Sequence, residues 1–89
     1  MENLENEVRV KFGNLSLNSL RKTAVLLRAI NNISRQSIIS QLGTMEKPTV
    51  SDLVAVLDME QSIVSQHLGI LRRARIVTSL KKGKFVSTL

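Results

Sequence analysis

The chain of 89 residues contains no cysteine, no tryptophan and no tyrosine, and Phe12 and Phe85 are its only phenylalanines. The lack of cysteine excludes a disulfide framework, a thiolate metal site and a cysteine nucleophile. So few aromatic rings also argue against binding nucleic acid by stacking bases on an aromatic platform. The core must be built from Leu, Ile and Val, and 89 residues form one small domain that would gain from burial in a dimer interface.

Long hydrophobic runs are missing as well. No apolar run approaches the roughly 20 residues that a membrane span requires. The N-terminus carries Glu2, Glu5 and Glu7 and lacks the basic-then-apolar order of a signal peptide. We therefore expect a soluble, cytoplasmic protein that does not contact a membrane.

Negative charge is absent from the last third of the chain. All seven acidic residues precede Gln61, and the segment 61–89 carries six basic residues, so its charge equals the net charge of the whole chain, +6. The six are Arg72, Arg73, Arg75, Lys81, Lys82 and Lys84. A helix-like run and two strand-like runs in this segment would together form a basic surface suited to a polyanionic duplex.

The N-terminal residues 1–16 are predicted to form a short ordered arm, followed by a single domain over residues 17–89. Polar and apolar residues alternate from Glu7 to Phe12, which favours a strand. The longer stretch Asn3 to Phe12 also fits a frayed helix that packs on a partner. Both possibilities stay open.

A first helix is predicted from Asn18 to Ile30 because its apolar residues recur at helical spacing. The apolar face is wide enough to provide two packing surfaces, one for the core and one for a second subunit. Burial of the whole face within one subunit is the alternative. The residues predicted to form a dimer interface are Leu17, Leu20, Ala24 and Leu27.

A second helix is predicted from Ile33 or Ser34 to Leu42, after a turn at the two asparagines 31–32. Gly43 is expected to stop this helix at its C-terminus. The side chains expected to point inward are Ile38, Ile39 and Leu42.

A third helix is predicted to begin after Thr49 and to end near Leu57. Thr49 and Asp52 have the spacing of a capping box, in which two side chains bond the free backbone N–H groups of a helix start. The segment Asp58–Glu60 then makes a tight turn into a fourth helix, Ser62 to Ala74. Its predicted inward residues are Ile63, Val64, Leu68 and Leu71.

Two helices joined by about four residues form a helix-turn-helix, whose second helix enters the major groove of DNA. The outer face of the fourth helix is slim and carries hydrogen-bonding side chains, which is what reading of base edges requires. Ser62, Ser65 and Gln66 supply these groups, and Gly69 permits close approach of the backbone. Arg72 and Arg73 are placed to hold phosphates. Ordinary polar surface is the alternative interpretation of this face.

Two short strand-like runs, Ile76–Leu80 and Lys84–Thr88, flank Lys81, Lys82 and Gly83. They predict a basic β-hairpin wing that lies along the DNA backbone or enters a minor groove. The predicted fold class is therefore α+β and mostly helical, a winged helix-turn-helix with four to five helices and a two-stranded hairpin.

The stretch from Val50 to Val77 resembles the helix-turn-helix of the ArsR/SmtB family of winged-helix repressors. The pattern that carries the resemblance is Gln-Ser-x-Val-Ser-x-His-Leu at 61–68, a leucine three residues later and a basic hairpin after Ile76-Val77. The resemblance covers roughly residues 34–88 and implies a dimeric bacterial or archaeal transcription factor that binds operator DNA. The residues that match the family's DNA-facing positions are Gln61, Ser62, Ser65, Gln66 and His67, with Lys82 to Lys84 in the wing.

The chain departs from that family in three places. Metal-sensing members often carry Cys-x-Cys at the start of the third helix, where this chain has Thr49, Val50 and Ser51. A C-terminal helix that would hold other metal ligands and half of the dimer interface is not expected, because the chain stops at Leu89. Neither a metal nor a cofactor is therefore predicted. Arg75 stands where a glycine often ends the recognition helix.

Two classes of function fit these features. In the first, a homodimer binds a two-fold site in double-stranded DNA and regulates transcription, most simply as a repressor. In the second, the winged helix is a protein-interaction module without specific DNA binding. His67 is either a packed histidine or a phosphate contact. An enzyme is not expected, because one histidine and no cysteine leave no acid–base or nucleophilic constellation.

Overall fold

A computed structural model of the chain describes residues 16–88. Its elements, in chain order, are α1 Leu17–Ile30, α2 Ile33–Thr44, α3 Val50–Leu57, α4 Gln61–Arg73, β1 Val77–Ser79 and β2 Phe85–Ser87. The question of strand or helix in the predicted N-terminal arm lies outside the described residues. No helix within 16–88 is long and apolar enough to cross a membrane.

Polar side chains set the starts of the first two helices. The Ser16 hydroxyl accepts the backbone N–H of Ser19 at 3.1 Å, and the Asn32 side chain accepts that of Arg35 at 3.0 Å. Both are N-caps, which bond donors that the first turn of a helix cannot pair. The predicted helix near 18–30 and the predicted turn at 31–32 are confirmed.

The prediction that Gly43 stops α2 is wrong. The helix runs through Gly43 to Thr44, and the Met45 backbone N–H still bonds the Gln41 carbonyl at 2.7 Å. The Thr44 hydroxyl also donates to that carbonyl, at 3.2 Å. Because these groups satisfy the last turn and Gly43 keeps a negative φ, the helix end needs no glycine in a left-handed conformation.

The capping box of α3 is present as predicted. The Thr49 hydroxyl accepts the Asp52 backbone N–H at 3.2 Å, and the Asp52 carboxylate accepts the Thr49 backbone N–H at 2.9 Å. At the other end, Asp58 is left-handed, with φ of 52°, and turns the chain into α4. The structure therefore contains the two-helix motif that the sequence predicts.

The core lies where α2, α3, α4 and β1 meet. Along α4 only one stripe is buried, formed by Val64, Leu68 and Leu71. Ile63 was expected inside but is 39% exposed, because neighbouring residues on a helix point about 100° apart and Val64 takes the inward position. The other core residues are Ala29, Ile38, Leu42, Leu53, Ile76 and Val77, and Ile39 packs against them partly buried.

The end of α4 is a Schellman motif. The Arg75 N–H bonds the Arg72 carbonyl at 2.9 Å, and the Ile76 N–H bonds the Leu71 carbonyl at 2.9 Å. Arg75 has φ of 61°, the left-handed value that the motif requires, at the position where the resembling family often has a glycine. Because Ile76 is fully buried immediately afterwards, the motif directs the chain back across the core and into β1.

The wing is an antiparallel pair of short strands. Val77 faces Ser87, Thr78 faces Val86 and Ser79 faces Phe85. A bond from the Phe85 N–H to the Pro48 carbonyl, 2.9 Å long, attaches β2 to the loop before α3. The hairpin is thus held against the helix-turn-helix, and the predicted winged helix-turn-helix fold is confirmed.

The capping box predicts a measurable loss of stability for Thr49→Ala. The substitution removes the acceptor for the Asp52 N–H, so we expect the free energy of unfolding to fall by about 1 kcal/mol. Urea unfolding followed by circular dichroism measures this change. Thr23→Ala is the matched control, because the Thr23 hydroxyl only donates to the Ser19 carbonyl within α1. A loss that is equal in both variants would contradict the role of the cap.

Candidate nucleic-acid interface

The outer face of α4 carries the polar residues that the sequence predicts to contact DNA. Because Val64, Leu68 and Leu71 are buried, the residues on the opposite side of α4 point to solvent. Gly69 is half-buried, so the backbone lies close to the surface there. The exposed members of this face are Gln61, Ser62, Ser65, Gln66, Arg72 and Arg73.

Three of these residues share a shallow groove with the base of the wing. Ser65, Gly69 and Arg72 line one wall, and Phe85 of β2 lines another. The groove encloses about 110 Å³. It shows that the middle of α4 and the root of the hairpin form one surface, as a winged-helix interface requires.

The tip of the wing is a tight turn over Lys81–Gly83 whose backbone is not helical at Lys82. Lys82 and Gly83 both have positive φ, 63° and 70°, which glycine adopts freely and lysine at some cost. Lys81, Lys82 and Lys84 are all exposed. The tip therefore presents three ammonium groups that are free to reach a phosphate backbone.

The side chains of Arg72 and Arg73 point to different sides of α4, although the sequence predicts that both hold phosphates. Arg72 lines the groove on the wing side of α4, whereas Arg73 lines two hollows on the α1 side. A Cβ added to Gly69 would lie 3.5 Å from Nη1 of Arg73, so the guanidinium folds back over that glycine. Arg72 is the arginine closer to the wing surface, and Arg73 lies between that surface and α1.

His67 lies apart from the exposed face and is half-buried. Nη1 of Arg35, on α2, is 3.3 Å from Nδ1 of His67. Burial, and then the positive charge of Arg35, lower the pKa of His67 below its usual 6.5. Since arginine can only donate, this contact requires a neutral imidazole that carries its proton on Nε2.

Arg35 is a residue that the sequence does not single out. Besides contacting His67, its Nε donates to the Ala29 carbonyl and its Nη2 to the Arg28 carbonyl at 3.3 Å. The Gln36 side chain donates to the Ile30 carbonyl at 3.0 Å. These donors bond the unpaired carbonyls at the end of α1. Arg35 thereby joins α1 to α4. Its contact with His67 links residues 32 positions apart, so no local sequence pattern predicts it.

Comparison with known proteins agrees with this geometry. The family model described as "Bacterial regulatory protein, arsR family" matches residues 34–79, which run from α2 to the end of β1. The chain belongs to the arsR family. The family resemblance that the sequence pattern indicates is thereby confirmed.

Individual relatives support the same assignment. Over 61 residues, this arsR-family chain is 41% identical to the HTH-type transcriptional repressor SmtB of Mycobacterium tuberculosis, covering 68% of the chain and 44% of SmtB. Over 65 residues it is 38% identical to the transcriptional activator HlyU of Vibrio cholerae, covering 73% of the chain and 59% of HlyU. The chain thus spans about half the length of the relatives it matches.

A solved structure matches the fold as well. HlyU from Vibrio cholerae N16961 superposes with a TM-score of 0.72 and 32% sequence identity, covering 84% of this chain and 83% of that one. The superposition thus covers a larger share of the chain than the family model does.

The predicted dimer residues of the arsR-family chain lie along one side of α1. Leu27 is 63% exposed and Leu17 is 41% exposed, Ala24 is exposed and Leu20 is half-buried. Leucines this exposed on one helix leave apolar surface in contact with water. The stripe is therefore available for contact with another molecule, and the dimer itself stays a prediction.

No acidic residue among 16–88 lines a groove beside α4. The acids among these residues are Glu46, Asp52, Asp58 and Glu60. Within the same residues, no group of three or more candidate ligand side chains is placed to hold a metal ion. The expected absence of metal and cofactor stays a prediction.

The environment of His67 predicts an acid-sensitive fold. Because the folded pKa lies below 6.5, the contribution of neutral His67 to stability is complete above pH 6.5 and is lost as the pH falls through the folded pKa. His67 is the only histidine, so its imidazole resonances can be titrated by NMR without overlap from another histidine.

Arg35→Gln should raise the pKa of His67 but leave it below 6.5, since burial is the larger cause of the shift. Arg28→Gln is the matched control: it removes the same charge, and the Arg28 guanidinium does not contribute to the shift. A pKa at or above 6.5 in the parent protein would contradict the packed, neutral state of His67.

Proposed function

We propose that the chain is a transcriptional regulator that binds a two-fold site in double-stranded DNA as a homodimer. The observation that carries this proposal is the single surface formed by the exposed Ser/Gln face of α4 and the basic wing. Two such surfaces, related by a two-fold axis, fit successive major grooves about 34 Å apart.

Ser62, Ser65 and Gln66 are proposed to read the bases. Their side chains are short, exposed and able to donate and accept hydrogen bonds, and they lie in the first half of α4. A glutamine amide can pair with both N6 and N7 of adenine, and a serine hydroxyl suits several base edges. Gln61 precedes them at the helix start, where it contacts a base or a nearby phosphate.

Arg72 and the wing lysines are proposed to hold phosphates. Arg72 shares the groove with the root of the wing, and Lys81, Lys82 and Lys84 surround the hairpin tip. Contacts of this kind position a protein on the duplex without reading its sequence. They release condensed counterions, so affinity should fall steeply as salt concentration rises.

His67 is proposed to pack and orient rather than to read DNA. Its Nδ1 faces the Arg35 guanidinium, and its burial disfavours the charged form that would attract a phosphate. Arg73, which folds over Gly69 toward α1, is proposed as a peripheral phosphate contact.

Repression is the proposed mode of action, because a dimer bound across an operator blocks access to the same DNA. Among the relatives, SmtB is named a repressor and HlyU an activator. A reporter gene downstream of the selected operator distinguishes the two, since expression falls on adding a repressor and rises on adding an activator. Neither relative is named as an enzyme, and a regulator needs no catalytic site.

A protein-interaction module is the second candidate function. Besides the α1 stripe, Ile33 and Val56 are exposed, on α2 and α3 respectively. Such a module would bind any duplex weakly and without sequence preference. Selection of bound sequences from a random duplex pool separates the two functions, because only a dimeric regulator enriches a palindrome.

Substitutions on α4 and the wing should have different effects on DNA binding. Gln66→Ala should lower discrimination between the selected palindrome and a random duplex by about 1–3 kcal/mol, since it removes a base contact. Lys82→Ala should weaken both complexes equally and reduce the slope of log affinity against log salt by about one. Fluorescence anisotropy with a labelled duplex measures both effects.

The matched controls are Asn18→Ala, which removes an exposed amide on α1, and Lys22→Ala, which removes an exposed lysine on the same helix. Neither lies on α4 or the wing. Binding by Gln66→Ala and Lys82→Ala that is indistinguishable from the parent would exclude this surface as the DNA interface.

Leu27→Glu should convert the dimer into a monomer. It places a charge at the most exposed leucine of the α1 stripe, where a partner helix would have to desolvate it. Val56→Glu is the matched control, because Val56 is also about half exposed but lies on α3. Light scattering coupled to size exclusion reports the mass, and an unchanged dimer in Leu27→Glu would assign the interface elsewhere.

A further inference from the structure

Two adjoining hollows lie between α1 and the last turn of α4. They share Val25, Arg73 and Ala74 and enclose about 320 Å³ and 490 Å³. We call them together the α1–α4 groove. Arg73 belongs both to this groove and to the outer face of α4, and Thr88, which follows β2, borders the larger hollow.

The rim of this groove is cationic. Arg28 and Arg35 border the smaller hollow, Arg21, Lys22 and Arg75 border the larger one, and Arg73 borders both. No acidic residue among 16–88 lines either hollow. Positive charges this close together repel one another, and a bound anion would remove that repulsion.

The floor of the groove is apolar. Val25, Leu26, Ala29, Ile70 and Ala74 form it. Val25 is 48% exposed although it stands at the centre of both hollows. An apolar group laid on this floor would gain free energy by leaving water. The volumes fall within the roughly 300–1,000 Å³ of small-molecule sites.

A second copy of the chain does not suit this groove. A two-fold contact would oppose the same cations on both copies, and like charges at an interface are unfavourable. The exposed stripe of Leu17, Leu20, Ala24 and Leu27 lies on a different side of α1 from Val25 and Ala29. Dimerisation through that stripe would leave the groove open.

We propose that the α1–α4 groove binds a small organic anion with an apolar body, such as a medium-chain carboxylate. Arg73 and Arg28 hold the acidic group, because the donors of Arg35 already bond carbonyls of α1 and contact His67. The apolar body lies on Val25, Leu26 and Ala74. The acidic group of the ligand thus pairs with the cationic rim, and its apolar body packs on the apolar floor.

Binding would act on α4 through Arg73. Its guanidinium lies over Gly69 and also borders the groove, so a carboxylate bound there would draw it toward α1. One guanidinium cannot serve the groove and a DNA phosphate at once, so anion and duplex should weaken each other's binding by the same factor. This coupling rests on the proposed DNA-binding function, whereas the groove itself does not.

Sodium octanoate is the probe for the groove, with 1-octanol and octylammonium as neutral and cationic probes of the same chain length. They are titrated into the full chain without DNA and followed by ¹H–¹⁵N NMR. We expect shifts confined to α1, the end of α4 through Arg75, and Thr88, which together line the groove. The Kd for octanoate should be at least tenfold below that for octanol. Equal affinity for octanoate and octanol, or octanoate shifts centred on the wing, would overturn the proposal.

Two variants test the residues. Arg73→Gln should weaken octanoate binding about tenfold, whereas Lys82→Gln, the same charge change on the wing, should alter it less than twofold. Val25→Asp, at a half-exposed helix position, should abolish octanoate binding by placing a carboxylate on the floor. If Val25→Asp keeps the parent Kd, the groove is not the site.

Octanoate at ten times its Kd should then lower affinity for the selected duplex several-fold in the parent but not in Arg73→Gln. An unchanged duplex affinity would refute the coupling and leave the NMR result on the groove intact. If the parent protein shows no specific duplex binding even without octanoate, the proposed function is contradicted.

Discussion

Burial of one stripe of α4 is the constraint on which the rest of the structure depends. Val64 and Leu71 are fully buried and Leu68 nearly so, each packed into the small aliphatic core. Burying such a side chain is worth about 1.5–3 kcal/mol, so rotating α4 by even one residue would cost more than a small domain can lose. The stripe therefore fixes which residues of α4 face solvent, and Ser65, Gly69 and Arg72 reach the wing groove as a consequence.

The end of α4 also determines where the wing lies. A left-handed Arg75 costs about 1–2 kcal/mol relative to the right-handed conformation. The Schellman bonds and the complete burial of Ile76 offset that cost. The hairpin is then held at both ends: the Thr88 N–H bonds the Ile76 carbonyl at 2.8 Å, and the Phe85 N–H bonds Pro48. The basic tip of the wing is therefore positioned by backbone contacts and not by the lysines themselves.

Features with a local cause could be predicted from the sequence. The capping box needs only Thr49 and Asp52 three residues apart, and the stripe of α4 needs only helical spacing. The predictions for Gly43 and Ile63 were wrong because each depended on the surroundings. Thr44 and Met45 complete the last turn of α2, and Val64 takes the inward position beside Ile63. The residue type limits which conformations and burial are possible, and the neighbouring residues determine which of them occurs.

The order of the helices, the location of the turns, the acid-free last third and the family can all be inferred from the sequence alone. These follow from propensities, caps and charges that act over a few residues. Other features appear only in the folded chain. Arg72 turns toward the wing, Arg73 turns toward α1, and Arg35 contacts His67. These contacts depend on how the buried faces orient one helix against another. They join residues that are distant along the chain, so no local sequence pattern predicts them.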